Sequence, residues 1–375
     1  MSGLARIVYV SNGRGDTVTP IAAATGAPGA PIPVGPAPGE IVVTPDGKTA
    51  YITTDAPVVV PIATATGTPG PPIRVGVNRP GLHDKPVAIA ITPDGETAYA
   101  ANIGSGTVTP IATATNTPGE SIEVGVRPRA IVITPDGRTA YVVNQSRPQP
   151  PPWRSYEAEK RGLPPRRPDP RGTVTPIDTA TNTPGEPIDV GNGPLAIAIT
   201  PDGSMVYAAN TEDADGGSGT VTPIDTVTNT AGPPIPVGSG PWAIAVTPDS
   251  STAYVIGFHS QTVTPIATAT NTPGPPIPVG KWPHAIMITP DGATAYVTSW
   301  QDGTVTPIAT ATNTPGPPIH VGEGARAIAI TPDGETAYVV VWAEPGAVVP
   351  FATATNTPGS PIQVGDGPYA IAITP

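Results

Sequence analysis

Three side chains of this 375-residue sequence could combine in acid–base chemistry: Glu40, His284 and Arg326. A carboxyl that is held away from water can have a raised pKa and exchange protons with a substrate. A histidine can titrate near neutrality, and an arginine can hold a developing negative charge. If the protein is an enzyme, which is the alternative to a binding module, the combination predicts a lyase or hydrolase in which these three residues are catalytic, with His259 as the other candidate for the histidine.

Glu40 stands out because seven matching segments of the chain carry alanine at its position. The alternative to catalysis is a carboxyl that turns outward into water or pairs with a nearby arginine. One carboxyl without an evident partner does not decide between these interpretations. The matching alanines are Ala88, Ala130, Ala196, Ala243, Ala285, Ala327 and Ala370.

A second group of residues offers flat surfaces for ligand binding. Aromatic residues occupy positions that vary from one segment to the next, and arginine and histidine are interleaved with them. Such a cluster predicts a pocket for a small molecule, a carbohydrate or a peptide. The alternative is that the rings only pack on one another and plug an opening. The predicted ligand-binding residues are Arg129, Trp242, Phe258, His259, Trp282, His284, Trp300, Arg326, Trp342 and Tyr369.

Other chemistry has little support in the sequence. The absence of cysteine excludes disulfides and thiolate metal sites, and there is no P-loop, HExxH pair or nucleophile elbow. Glu212, Asp213 and Asp215 could ligate Ca²⁺, but their spacing is not that of an EF-hand, and a solvated loop is the preferred interpretation. We therefore predict no metal and no cofactor.

These residues are embedded in an internal repeat of about 42 residues. Each repeat contains four short β-type runs, which in the fullest copies read AIAI, TAYV, TVTPI and PIxVG. A Pro-Asp-Gly turn follows the first run, and an Asn-Thr-Pro-Gly turn is predicted before the last. Four strands per unit of this length indicate a propeller blade. The Thr-Pro pairs that open the first turn begin at Thr44, Thr92, Thr134, Thr200, Thr247, Thr289, Thr331 and Thr374.

The third run occurs eight times, which predicts an all-β, eight-bladed β-propeller with four-stranded blades. The chain begins inside a second strand, at Ile7 to Ser11, and stops after a first strand, Tyr369 to Thr374. We predict that this C-terminal strand joins the N-terminal blade and closes the ring, because closure removes an exposed sheet edge. The third runs end at Pro20, Pro61, Pro110, Pro176, Pro223, Pro265, Pro307 and Pro350.

Second runs such as Tyr9-Val10-Ser11-Asn12, Tyr141-Val142-Val143-Asn144 and Tyr296-Val297-Thr298-Ser299 resemble the YVTN-type β-propeller repeat family. The resemblance covers nearly all of the chain outside 145–171 and implies the propeller fold. Members of that family are described as surface proteins and binding modules, and related propellers as lactonases or lyases. The resemblance therefore selects no reaction.

The repeats differ from one another on one face only. Insertions fall between second and third strands or between one blade and the next, and we call the side that carries them the long-loop face. All five tryptophans are predicted there, including Trp153 in the Pro/Arg-rich loop 145–171 of blade four. Variable loops on a fixed scaffold commonly carry binding sites. We expect a single domain over 1–375 that acts as a binding module.

Composition limits the partners. A net charge of −11 argues against broad binding to nucleic acid or to an anionic membrane. No run of 18 apolar residues and no export signal are evident, which predicts a soluble, cytoplasmic monomer for the chain as written. The segment 145–171 could dock a protein partner or act as a flexible flap. A third possibility for the function is a structural module of a larger surface or signalling protein.

Overall fold

The computed structural model describes residues 6–77, 84–145, 171–212 and 219–375. Within these ranges the chain forms eight antiparallel sheets and no helix. The first strands of neighbouring sheets contact one another around the whole circuit, and the last of them contacts the first. The predicted eight-bladed β-propeller is confirmed.

Each blade has an inner, a second and a third strand, paired in that order from the channel outward. The inner strands, from blade one to blade eight, are Pro368–Ile373, Ile41–Val43, Pro86–Ile91, Pro128–Ile133, Asn192–Ile199, Pro241–Val246, Pro283–Ile288 and Ala325–Ile330. The second strands are Ile7–Asn12, Thr49–Thr53, Thr97–Asn102, Thr139–Asn144, Met205–Glu212, Thr252–Gly257, Thr294–Ser299 and Thr336–Val341. The third strands are Thr17–Ala22, Val58–Ala63, Thr107–Ala112, Thr173–Asp178, Thr220–Asp225, Thr262–Ala267, Thr304–Ala309 and Ala347–Ala352.

The outer strand of each blade is broken into two pieces of two residues. In blade three, for example, Ile111 and Ala112 of the third strand pair with the first piece, and Thr107 and Val108 pair with the second. Pro110 lies between these pairs and has no N–H to donate, so the ladder stops there. The pieces are Ala27–Pro28 with Ile32–Pro33, Thr68–Pro69 with Ile73–Arg74, Thr117–Pro118 with Ile122–Glu123, Thr183–Pro184 with Ile188–Asp189, Thr230–Ala231 with Ile235–Pro236, Thr272–Pro273 with Ile277–Pro278, Thr314–Pro315 with Ile319–His320, and Thr357–Pro358 with Ile362–Gln363.

The turn before the outer strand lies earlier in the sequence than predicted. In blade three it covers residues 113–116, and the Thr-Pro pair that follows already belongs to the outer strand. Asn116 ends the turn with a φ of 54°. Asparagine tolerates this left-handed conformation better than most residues, so the chain reverses at Asn116 rather than at the following proline.

The ring closes through the two ends of the chain, as the sequence predicted. The N-terminal strand Ile7–Asn12 pairs antiparallel with the C-terminal strand Pro368–Ile373, with Val8 opposite Ile373 and Val10 opposite Ile371. A side chain adds to this closure, because the Ser11 hydroxyl accepts a hydrogen bond of 3.0 Å from the Ala370 N–H.

A tyrosine in every second strand is buried and reaches the next blade. In six blades its hydroxyl donates to the side-chain carbonyl of the turn asparagine, as in the 2.7 Å bond from Tyr207 to Asn271. Burial raises the pKa of Tyr207 to about 12, so the hydroxyl keeps its proton at ordinary pH. The sequence placed these tyrosines in the core but did not predict the bonds. The pairs are Tyr51–Asn116, Tyr99–Asn182, Tyr141–Asn229, Tyr207–Asn271, Tyr254–Asn313 and Tyr296–Asn356.

Two tyrosines lack this partner because the turn residue of the next blade is glycine. Tyr338 donates to the Ala23 carbonyl beside Gly26, and Tyr9 donates to the Thr64 carbonyl near Gly67. Both glycines have positive φ, 69° and 64°, and an added Cβ would meet only an isoleucine methyl at 3.4 or 3.5 Å. Asparagine therefore fits at both positions.

We expect Gly26→Asn and Gly67→Asn each to stabilise the protein by roughly 0.5–1.5 kcal/mol, because each adds a hydrogen bond between blades. Chemical denaturation measures the change. Tyr338→Phe for Gly26→Asn, and Tyr9→Phe for Gly67→Asn, is the matched control, because it removes the donor of the new bond and leaves the backbone strain at the turn unchanged. An equal effect of asparagine in the tyrosine and phenylalanine backgrounds would contradict the prediction.

Candidate functional site

Irregular pairing of the inner strands directs side chains into the channel mouth. Seven of the eight inner strands shift register against the second strand, with one or two residues left unpaired at each shift. A β-bulge of this kind bends the strand and re-aims the side chain of the extra residue. These are the positions whose identity varies in the repeat, Val87, Arg129, Leu195, Trp242, His284, Arg326 and Tyr369.

Short hydroxyl side chains of the second strand hold several of these irregular segments. Thr298 Oγ1 accepts the Ala285 N–H at 3.0 Å and donates to the Arg326 carbonyl at 2.9 Å. Ser11 Oγ accepts the Ala370 N–H at 3.0 Å in the same way. In blade two, whose inner strand shows no shift, Thr53 Oγ1 accepts the Glu40 N–H at 2.9 Å. Backbone donors that the register shift leaves unpaired are therefore satisfied, which fixes the direction of the side chains.

The mouth contains one large cavity of about 690 Å³, to which all eight blades contribute. We call it the mouth cavity. Glu40, His284 and Arg326, the three residues predicted for acid–base chemistry, all line it. Six of the ten predicted ligand-binding residues line it as well, namely Arg129, Trp242, His284, Arg326, Trp342 and Tyr369. The other four, Phe258, His259, Trp282 and Trp300, do not.

The rings nevertheless form one connected series. Trp242 lies 5.5 Å from Phe258 and 5.4 Å from His284, measured between ring centroids. His284 lies 6.1 Å from Trp300, which lies 5.4 Å from Trp342. The rings therefore pack on one another, as the alternative interpretation predicted, and they leave the mouth cavity open.

The rings outside the cavity support those that line it. Phe258 stacks on Trp282 with centroids 6.2 Å apart, and His259 meets Phe258 edge-on at 5.2 Å. The indole of Trp282 is 46% exposed, compared with 39% for Trp242. Because these two tryptophans differ in access to the cavity but not greatly in exposure, they form a natural pair for comparison.

Arginine side chains lie over several of the rings. The guanidinium carbon of Arg326 is 3.8 Å from the Tyr369 ring centroid and 5.8 Å from that of Trp300. Arg14 lies 4.5 Å above Trp342 and forms an ion pair with Glu344. Such contacts between a cation and a ring face are favourable and orient the planar guanidinium.

Sequence reasoning missed several residues of the mouth cavity. Val87 and Leu195 line it, and they were not predicted even though they occupy the same variable position of the repeat as Arg129. Arg14, Lys85 and Asp55 line it from the loops of the long-loop face, and the last two form an ion pair. Their position in these variable loops was the available signal.

Glu40 is partly exposed to the channel and has a backbone partner. Its Oε2 accepts a hydrogen bond of 3.0 Å from the N–H of Ile89, on the inner strand of the next blade. Desolvation raises the pKa of Glu40 to about 7, although the Ile89 bond acts in the opposite direction. Among the described residues no ion pair to Glu40 occurs, so the suggested arginine partner is not found there.

His284 does not titrate where the sequence analysis expected. Desolvation and, secondarily, the charge of Arg326 lower the pKa of His284 to about 4. The expectation of a pKa near neutrality was therefore wrong, because it took no account of the surrounding rings. At neutral pH the imidazole is uncharged and can both donate and accept one hydrogen bond.

Several predictions concern residues outside the described ranges. They include Trp153, nearly all of the 145–171 loop, Asp213, Asp215 and the side chain of Glu212. Among the residues that are described, no three His, Asp or Glu side chains are grouped so that they could hold a metal ion. The same residues include no helix that is long and apolar enough to span a membrane.

Comparison with known proteins identifies the fold but no family. No protein-family model matches the chain, and no curated protein matches it either. A hydrazine synthase structure from Kuenenia stuttgartiensis is 20% identical with a TM-score of 0.62, and the match covers 87% of this chain and 95% of that one.

Two further solved structures are similar over 98% of this chain. The dihydro-heme d1 dehydrogenase NirN, in complex with DHE, is 15% identical with a TM-score of 0.75 and is covered over 74% of its chain. Apo AztD from Citrobacter koseri is 14% identical with a TM-score of 0.66 and is covered over 97%. At these identities the similarity concerns the fold alone. No family model confirms the resemblance to the YVTN-type repeat family.

Proposed function

We propose that this propeller is a binding module that takes a small molecule, carbohydrate or peptide into the mouth cavity. The observation that carries the proposal is convergence: residues that vary between repeats, on all eight blades, line one cavity. A packing requirement would favour the same residue in every blade, whereas a single ligand on the axis is contacted differently by each blade.

The dimensions and chemistry of the mouth cavity support this function. Its volume of about 690 Å³ lies inside the range of roughly 300–1,000 Å³ that is common for small-molecule sites. Trp242, Trp342 and Tyr369 supply flat apolar surfaces, and Arg129, Arg326 and His284 supply a few polar groups between them. Such a mixture orients a ligand while burying most of its surface.

Trp242→Ala and Trp342→Ala are each expected to weaken ligand binding by about 1–3 kcal/mol, because each removes a ring from the cavity wall. Quenching of tryptophan fluorescence during titration with panels of aromatic acids, oligosaccharides and peptides measures affinity. Trp300→Ala should have a smaller effect, since Trp300 only supports its neighbours.

Trp282→Ala is the matched control for these variants. It removes an indole of the same face that does not line the mouth cavity, so affinity should change little. If all four alanine variants instead lower the melting temperature by a similar large amount and no panel compound binds, the rings serve only to fill the opening.

One observation favours acid–base catalysis as a second candidate function. Glu40, with a pKa near 7, shares the mouth cavity with the uncharged imidazole of His284 and the cation of Arg326. In that case Glu40 exchanges the proton, and Arg326 stabilises a negative charge on the substrate. If this candidate function is correct, the wild type turns over a substrate, and the Glu40→Gln variant loses that turnover while it still binds the ligand with similar affinity.

A further inference from the structure

The charge of the mouth cavity is opposite in sign to that of the chain. The whole sequence carries a net charge of −11, yet the charged residues that line the cavity are four cations and two carboxyls. The cations are Arg14, Lys85, Arg129 and Arg326, and the carboxyls are Glu40 and Asp55. An excess of cations in the concave centre of an acidic protein focuses a positive potential there.

Two of the four cations are already neutralised locally. Arg14 pairs with Glu344, and Lys85 pairs with Asp55. Glu40 balances the remaining two only in part, because it forms no ion pair within the described residues and, with a pKa of about 7, is about half ionised at neutral pH. The positive excess therefore belongs to Arg129 and Arg326.

Neither of these arginines has a carboxylate partner within the described residues. Arg129 donates from Nε to the Gln145 side-chain carbonyl at 3.1 Å, which leaves its two terminal nitrogens for other acceptors. Arg326 has the faces of Tyr369 and Trp300 as neighbours. Both side chains are half-buried, and a partly desolvated cation without a counter-charge is unfavourable.

The two guanidinium groups line the same cavity from opposite sides. Arg129 lies on the inner strand of blade four and Arg326 on that of blade eight, and these blades face each other across the eight-bladed ring. Arg326 is held on its side by the ring of Tyr369. An anion on the channel axis therefore lies between the two arginines.

Flat surfaces adjoin this positive region. Trp242 and Trp342 line the same cavity as the two arginines, and Trp242 packs on His284 beside Arg326. A ligand with a planar body can therefore stack on an indole while its charged group extends to a guanidinium. Arginine binds carboxylate and phosphate oxygens in pairs, which fixes the orientation as well as the affinity.

We propose, resting on the binding function above, that the ligand is a flat organic oxyanion, whose carboxylate or phosphate pairs with Arg326 and Arg129 and whose planar body stacks on the tryptophans of the mouth cavity. This assigns the two arginines as specificity determinants, because they favour an anion over a neutral molecule of the same shape.

Three naphthalene probes test the proposal: 2-naphthoate, 2-naphthyl phosphate and the neutral 2-naphthamide. Titrations followed by tryptophan fluorescence should show at least about tenfold tighter binding of one or both anions than of the amide, the effect of one or more charge-assisted hydrogen bonds. The carboxylate and phosphate arms distinguish the two oxyanions. Binding of the preferred anion should weaken as salt rises.

Arg326→Gln and Arg129→Gln should each lower affinity for the preferred anion about tenfold more than they lower affinity for 2-naphthamide. Arg138→Gln is the control, because Arg138 is a highly exposed side chain in a Pro-Asp-Gly turn, away from the mouth cavity. The use of two arginines on separate blades keeps the test decisive if one variant fails to fold.

The outcomes separate this proposal from the binding function on which it rests. Equal binding of the amide and both anions, or unchanged anion affinity in a folded arginine variant, overturns the charge assignment and leaves a neutral-ligand site. No quenching by any of the three probes at millimolar concentration overturns the charge assignment. If Trp242→Ala and Trp342→Ala also leave binding of every panel compound unchanged, the binding function fails with it.

Discussion

A variant that lacks residues 369–375 is expected to lose the closed ring and to melt on the order of 10 °C lower, or to aggregate. The deletion removes most of the inner strand of blade one, which pairs with the N-terminal strand and contacts the inner strands on both sides. Ile371 and Ile373 pack in the cluster that contains Val8 and Val10. Loss of two isoleucines costs several kcal/mol from burial alone.

Circular dichroism melting and size-exclusion chromatography measure the two expected consequences. Deletion of Pro375 alone is the matched control, because this residue follows the paired segment. Ser11→Ala should have a smaller effect of about 1–2 kcal/mol, since it removes the hydroxyl's bonds to the Ala370 N–H and the Gly39 carbonyl and keeps the backbone pairing. An unchanged melting curve and monomeric elution of the long deletion would mean that closure does not stabilise the ring.

The fold could be predicted because the same local sequence pattern occurs eight times along the chain. Alternating apolar residues, Pro-Asp-Gly turns and a buried tyrosine agree in each copy, so an error in one blade does not change the conclusion. The break in the outer strand was missed although its cause is visible. Pro110 and its equivalents lack an N–H, but only the register shows that the partner strand is interrupted opposite them.

The location of the candidate site was predictable, whereas its electrostatics were predictable only in part. Residues such as Trp242 and Arg326 identified the long-loop face because they differ between repeats whose other positions are nearly identical. The pKa values depend on which side chains surround a group in space. The pKa of Glu40 is raised, as the sequence analysis suggested for a carboxyl held away from water. The pKa of His284 departs from expectation because burial, and secondarily the charge of Arg326, disfavours the imidazolium.

Glu40→Gln should stabilise the protein at pH 8 by on the order of 2–3 kcal/mol and have little effect near pH 4.5. The folded-state pKa of Glu40 is about 7, above its ordinary value of 4.5, because burial opposes ionisation. Glu40 therefore contributes stability that is fully present below pH 4.5 and is lost as pH rises through 7. Glutamine does not ionise, and its carbonyl can still accept the Ile89 N–H.

Urea denaturation of wild type and variant between pH 4.5 and 8 gives the difference in unfolding free energy. This difference isolates Glu40, because His284 is present in both proteins and its contribution cancels. In each protein alone, the His284 pKa of about 4 makes the folded state more stable as pH rises towards 6.5. Glu335→Gln, at an exposed turn, controls for the loss of one negative charge. A difference that is the same at pH 4.5 and pH 8 would mean that the Glu40 carboxyl is solvated and ionises normally, which would also remove the observation that favours acid–base catalysis.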